Sequence, residues 1–67
     1  MFKEYDTFQL SQILSDETIP RGTCGVVLMV FDGSPCNYLV EFPDGKGGNL
    51  GKELVYLINE DFMALDE

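Results

Sequence analysis

The run Val26-Val-Leu-Met-Val-Phe31 constrains this chain more than any other stretch. Six residues make fewer than two helical turns, too few for a helix that stands alone, and three of the six are β-branched. An extended strand is therefore predicted. Upstream, Pro20 lacks an N–H and suits a loop that leads into a strand. Gly22 and Gly25 follow, and glycines at a strand start allow a positive φ, a bulge or the close approach of another part of the chain. Downstream, Asp32-Gly-Ser-Pro35 is built from turn formers, and apolar content resumes in Cys36-Asn-Tyr-Leu-Val-Glu-Phe42. Ile19–Phe42 thus reads as a β-hairpin. In its second arm Tyr38, Val40 and Phe42 share one face, and Leu39 and Glu41 share the other.

The first arm has no polar side. Strict alternation puts Val26, Leu28 and Val30 on one face and Val27, Met29 and Phe31 on the other. Strands apolar on both faces belong to sheets held between two layers, which 67 residues cannot build. One face lines the core, and the other needs cover from a terminal segment or from another chain. The expected interface is drawn from Val26, Leu28, Val30, Phe31 and Leu39, and a homo-oligomer is expected, because an exposed apolar patch of this size marks an interaction surface.

The remaining segments fall around the hairpin. Thr7-Phe-Gln-Leu10 alternates polar and apolar, so Tyr5–Leu10 is predicted as a first strand. Ser15-Asp-Glu-Thr18 is a polar turn or a short 3₁₀ segment. After the hairpin, Pro43-Asp-Gly-Lys-Gly-Gly48 carries an Asp-Gly turn signal, and Asn49–Ile58 reads as a strand bent near Gly51. Asn59-Glu-Asp61 offers an N-cap and two acids at the positive end of one helical turn. Phe62–Leu65 is either a fifth strand or the cover for the second face of the hairpin. No repeat, linker or second domain is evident, and residues 1–67 are read as one domain. Four or five short strands with tight turns indicate an all-β fold, a small barrel whose closure removes free edges.

Charge narrows the partners. Twelve acidic residues against four basic ones give a net charge of −8. Nucleic-acid backbones and anionic membranes repel such a chain, whereas a basic protein attracts it. Hydrophobic residues make up 45% of the sequence, too many for a disordered tail. A domain this small buries only about 60% of the surface of its unfolded chain, and association is a common remedy. With no leader and no apolar span of membrane length, a cytoplasmic location is expected, where Cys24 and Cys36 stay reduced and act as small buried hydrophobes.

The residues Gly22, Gly25, Val27 and Val30, followed by Tyr38, Val40, Glu41 and Phe42 and by the turn Asp44-Gly45, form a pattern similar to that of SH3-like small barrels. In particular it resembles a bacterial family of about this length known as a domain of unknown function, with some members in mobile gene cassettes. The resemblance runs from about Tyr5 to Leu57. It implies a five-stranded SH3-like barrel with a short 3₁₀ turn, and it brings no catalytic residues. The Gly-x-x-Gly-x-Val portion is also similar to the motif of ribosomal and transcription-factor barrels that bind RNA. Those proteins are basic and this chain is acidic, so their activity does not transfer.

The sequence contains no histidine, which removes the commonest general base and the commonest transition-metal ligand. Two cysteines without histidine cannot complete a zinc tetrahedron of thiolate and imidazole. Gly45-Lys-Gly-Gly48 lacks the Gly-Lys-Ser/Thr ending of a phosphate loop and reads as a hairpin tip. No enzyme activity, metal or cofactor is therefore expected. Two functions remain. One is an interaction module that self-associates through its apolar strand face and binds a basic partner. The other is an acidic inhibitor or immunity-type protein that imitates nucleic acid on a basic target. Asp32, Glu41, Asp44 and Glu53 separate them: convergence on one face favours mimicry, and scatter around an apolar patch favours the module.

Overall fold

The computed structural model describes residues 2–15 and 17–66. It is nearly all-β: β1 (Thr7–Leu10), β2 (Cys24–Phe31), β3 (Asn37–Glu41), β4 (Tyr56–Asn59), a 3₁₀ turn over Glu60–Phe62, and β5 (Met63–Leu65). The strands form one antiparallel sheet in the order β4-β3-β2-β1-β5. The two outermost strands are consecutive in sequence and are joined by the 3₁₀ turn, which is the arrangement of a five-stranded SH3-like barrel. The turn starts as its residues dictate: the Asn59 carboxamide oxygen accepts the Asp61 N–H at 2.8 Å, and two acids occupy the first turn. Phe62–Leu65 resolves in favour of the fifth strand, since β5 pairs with β1 from Phe8 opposite Leu65 to Leu10 opposite Met63.

The core is drawn from both ends of the chain. Phe2, Phe8, Leu10, Leu14, Ile19, Val27, Tyr38, Val40, Phe42, Ile58 and Met63 are buried together. Through it runs a continuous series of edge-to-face ring contacts, from Tyr38 to Phe2 to Phe8 to Phe42 to Tyr56, with centroids 5.7–6.2 Å apart. Each such pair adds about 0.5–1.5 kcal/mol to the burial of its rings. The series passes over Gly25, which lies opposite Phe8 in the β1–β2 ladder. A Cβ at this position would sit 2.5 Å from Phe8 Cζ and 2.9 Å from Phe42 Cε1. Close approach, one of the roles open to that glycine, is therefore made here by two aromatic rings.

Three expectations about local structure need correction. The expected strand Asn49–Ile58 is a strand only from Tyr56. Asn49 makes an isolated bridge to Pro43, and Gly51 adopts φ +90°. Glycines in the left-handed region and the Asp44 cap described below turn this segment into a loop. The first strand begins at Thr7, because Tyr5 adopts φ 68°. The strict alternation expected along β2 breaks at Leu28. Val27 pairs with Val40, but Met29 pairs with Leu39, so Leu28 and Met29 together oppose one residue. At Ser15–Thr18, Ser15 lies in a turn and Glu17 adopts φ 57°, while Asp16 lies outside the described residues.

Candidate interaction face

The bulge at Leu28 decides which side chains face outward. Before it, Val27 points into the core; after it, Val30 does, opposite the buried Tyr38. Met29 and Phe31 are thereby turned out. The ladder places Met29, Leu39 and Leu57 in one row across β2, β3 and β4. Met29 is 46% exposed and Leu57 62%, with Leu39 half-buried between them. Phe31, 43% exposed, stands one row further along, opposite Asn37, which pairs with Asn59. On the far side of the bulge the outer face turns polar: Val26 pairs with Glu41 and Thr7, and Cys24 with Gln9.

The residues expected to form the interface are therefore divided. Phe31 and Leu39 lie on the outer face, Val26 is half-buried at its polar margin, and Leu28 is half-buried at the bulge. Val30 packs against the core instead. Met29 and Leu57 belong to the face and were not among the expected residues. Leu57 was legible from its alternation with Tyr56 and Ile58, whereas Met29 required knowledge of the bulge.

The four acids do not all converge. Asp32 follows β2 at the hairpin tip, and Glu41 stands opposite Val26, six residues back along that strand. At 3.3 Å per residue the two are roughly 20 Å apart along the sheet, beyond the screening length of physiological salt. Asp44 is engaged within its own loop, accepting the Lys46 N–H at 2.7 Å and the Gly48 N–H at 3.1 Å. A Cβ on Gly48 would lie 3.0 Å from that carboxylate, so the glycine leaves it room. The amides that gave this loop its look of a phosphate cradle are thus held by the protein's own Asp44. Glu53 is exposed on the segment before β4, its N–H donating to the Tyr56 hydroxyl at 3.2 Å.

The thiols also differ from expectation. Both are free, but Cys24 is exposed, because it starts β2 on the outer face. Its Sγ donates to Asp66 Oδ2 at 3.3 Å, and this bond pushes the thiol pKa up while holding the Asp66 carboxyl below its usual range. Cys36 is half-buried beside β3. Cys24 and Cys36 flank opposite ends of β2 and do not face each other. Inside the barrel the Tyr38 hydroxyl accepts the Phe2 N–H at 3.3 Å and donates to Glu60 Oε1. Burial, followed by this bond to Glu60, raises the phenol well above its ordinary pKa.

Among the described residues no group of three or more His, Cys, Asp or Glu side chains is placed to hold a metal, and no helix is long and apolar enough to cross a membrane. Comparison with known protein families, with curated proteins and with solved structures returns no match.

Proposed function

We propose that this chain is a small non-catalytic protein-interaction module that docks through the outward apolar face of β2, β3 and β4. The observation that carries the reading is the row Met29–Leu39–Leu57, its two ends exposed, across three paired strands of a sheet whose opposite face already fills the core. The net charge of −8 favours a basic partner. The separation of Asp32 from Glu41 and the engagement of Asp44 in its loop weigh against imitation of a phosphate array. A reducing, cytoplasmic setting belongs to the same proposal and fits two free thiols. So does membership in the bacterial family of short SH3-like barrels, whose pattern residues Gly25, Val27, Tyr38, Val40 and Phe42 lie in the core of this barrel.

The test is affinity capture from source-cell extract with the parent chain and with Leu57→Lys, a change at an exposed position that leaves the core untouched. A partner retained by the parent and lost from the variant supports the module. Identical capture by both removes this face from the function. Sedimentation velocity on the same pair reads self-association, the oligomer expected from the sequence, at the same surface.

A further inference from the structure

One row beyond Met29–Leu39–Leu57 the outer face carries a carboxylate. Glu41 follows Leu39 by two residues on β3, so its side chain points the same way. It pairs with Val26 on β2. On its other side comes Val55, 40% exposed, which immediately precedes Tyr56, the partner of Val40. Val26, Leu39 and Val55 thus frame it. Glu41 also differs from the other acids. Among the described residues, Asp6 and Glu41 alone of the carboxylates are half-buried. Asp6 accepts the Lys3 N–H at 2.8 Å. Glu41 has no hydrogen bond or ion pair among the described residues. A carboxylate partly withdrawn from water among apolar side chains needs a cation once that face is covered, because burial without one is costly.

We propose that this face takes a short segment of a basic partner protein, which seats an arginine on Glu41 and apolar side chains on Phe31 and the Met29–Leu39–Leu57 row. The inference rests on the interaction module of the preceding subsection and adds the chemistry of its occupant. Arginine suits the place better than lysine. Its guanidinium is less strongly hydrated, pairs with a carboxylate through two N–H groups, and lays an aliphatic stem along neighbours such as Leu39 and Val26. Size favours a segment over a folded surface. From Asn37 to Glu41 the outer face runs about 13 Å along the strand, and three strands span about 10 Å across. That falls well short of the roughly 800 Å² per partner of a standard interface. A second copy of this chain is the poorer occupant for a further reason. The rows from Phe31–Asn37–Asn59 to Val26–Glu41–Val55 contain no basic residue. Twofold pairing of this face with itself would therefore cover two Glu41 carboxylates and bring no cation to either.

The probe is a peptide, capped at both ends, in which phenylalanine, leucine and arginine alternate with threonine. When extended it sets those three side chains on one side, at the spacing of Asn37, Leu39 and Glu41. Titrated into the isotopically labelled full chain and followed by NMR, it is expected to shift the amides of Met29, Leu39, Glu41 and Leu57. Binding is expected to saturate with a Kd on the order of 0.1 mM. Citrulline in place of arginine keeps the shape, removes the charge and is expected to weaken binding about tenfold. Glu41→Gln is expected to weaken the arginine peptide by the same factor and to leave the citrulline peptide unchanged, a coupling that a merely structural role for Glu41 would not produce. Leu57→Lys is expected to weaken both peptides, and thermal melts confirm that both variants fold. Equal binding of the arginine and citrulline peptides, or an equal effect of Glu41→Gln on both, overturns the inference and leaves the face as an apolar docking surface. No peptide binding, with a dimer in sedimentation that Leu57→Lys abolishes, assigns the face to a second copy and overturns the inference while sparing the module. No peptide binding and no dimer overturn the inference too. The module then stands or falls on the capture experiment.

Discussion

Replacing Gly25 by alanine adds one methyl group at the tightest point of the core. The new carbon would lie 2.5 and 2.6 Å from two atoms of the Phe8 ring and 2.9 Å from the Phe42 ring. Carbon atoms in good contact are about 3.5–4.0 Å apart, so the rings must withdraw by about 1 Å. Neither has anywhere to go: both are fully buried, Phe8 abuts Phe2 on its other side, and Phe42 abuts Tyr56. Overpacking of this kind costs about 1–3 kcal/mol. Loss of glycine freedom in the unfolded chain returns about 0.4–1 kcal/mol. The net destabilisation is about 1–2 kcal/mol, taken from a total of about 3–10 kcal/mol for a chain of this length. In a domain this small it lowers the melting temperature by about 5–15 °C. Thermal and urea melts measure it. Gly22→Ala is the control, since a Cβ there meets nothing within 4 Å and the φ of +88° alone sets its cost. The packing account makes a second demand: Phe8→Leu, which frees space opposite position 25, must reduce the cost of Gly25→Ala in a double-mutant cycle. A Gly25→Ala protein that melts with the parent, or a cost untouched by Phe8→Leu, would refute the ring-over-glycine packing.

Tyr38→Phe removes the buried hydroxyl that joins the Phe2 N–H to Glu60, and it is expected to cost about 1–3 kcal/mol by chemical denaturation. The same phenol sets an alkaline limit. Its folded pKa is raised, so its contribution is complete below the ordinary value of 10.0 and is lost as pH rises above it. Melts from pH 8 to 11 should fall for the parent and fall less for Tyr38→Phe. Asp66 acts at the other extreme: hydrogen bonds from Cys24, Gln9 and Thr7 depress its pKa, so its contribution is present above 3.8 and is lost as pH falls through the lower folded value. Asp66→Asn should flatten that acid limb. It should also speed alkylation of Cys24 at pH 8, because the carboxylate holds the thiol protonated; an unchanged labelling rate would separate the two groups. Val27→Asp or Val40→Asp places a charge at a fully buried position with no partner and should abolish the cooperative melt. Retention of a melt near the parent temperature would place those residues outside the core.

The sequence carried the fold because the strongest local signals agreed with one another. A six-residue apolar run cannot be an isolated helix, Asp32–Pro35 cannot continue a strand, and Asn59-Glu-Asp61 has the chemistry of a helical start. Each of these became the element it indicated. The misreading of Asn49–Ile58 has a physical reason. Its apolar content was visible, but whether Leu50 and Leu54 pair or hang in a loop depends on the positive φ of Gly51 and on Asp44, whose carboxylate organises the preceding turn through the amides of Lys46 and Gly48. Cys24 illustrates the same limit. A cysteine beside a valine run reads as buried, yet its position in the register, opposite Gln9, put it on the solvent side.

The interaction face was half legible for a single reason. Alternation along β2 holds only while each residue has one partner on β3. One extra residue at Leu28 reverses the phase for the rest of the strand, so Val30 enters the core in place of Met29, and Met29 joins Phe31 outside. The inside gains from the exchange, because the shorter Val30 faces the ring of Tyr38, where the longer methionine would otherwise have to fit. The outside receives the surplus. A strand apolar on every position supplies a core residue whichever phase the bulge selects, and it leaves an apolar residue exposed in either phase. The surface row Met29–Leu39–Leu57 is thus the necessary counterpart of a β2 sequence that the core alone does not require. Selection for the barrel would tolerate polar residues at positions 29 and 31. Their absence leaves on the outer face an apolar surface that the barrel itself does not use.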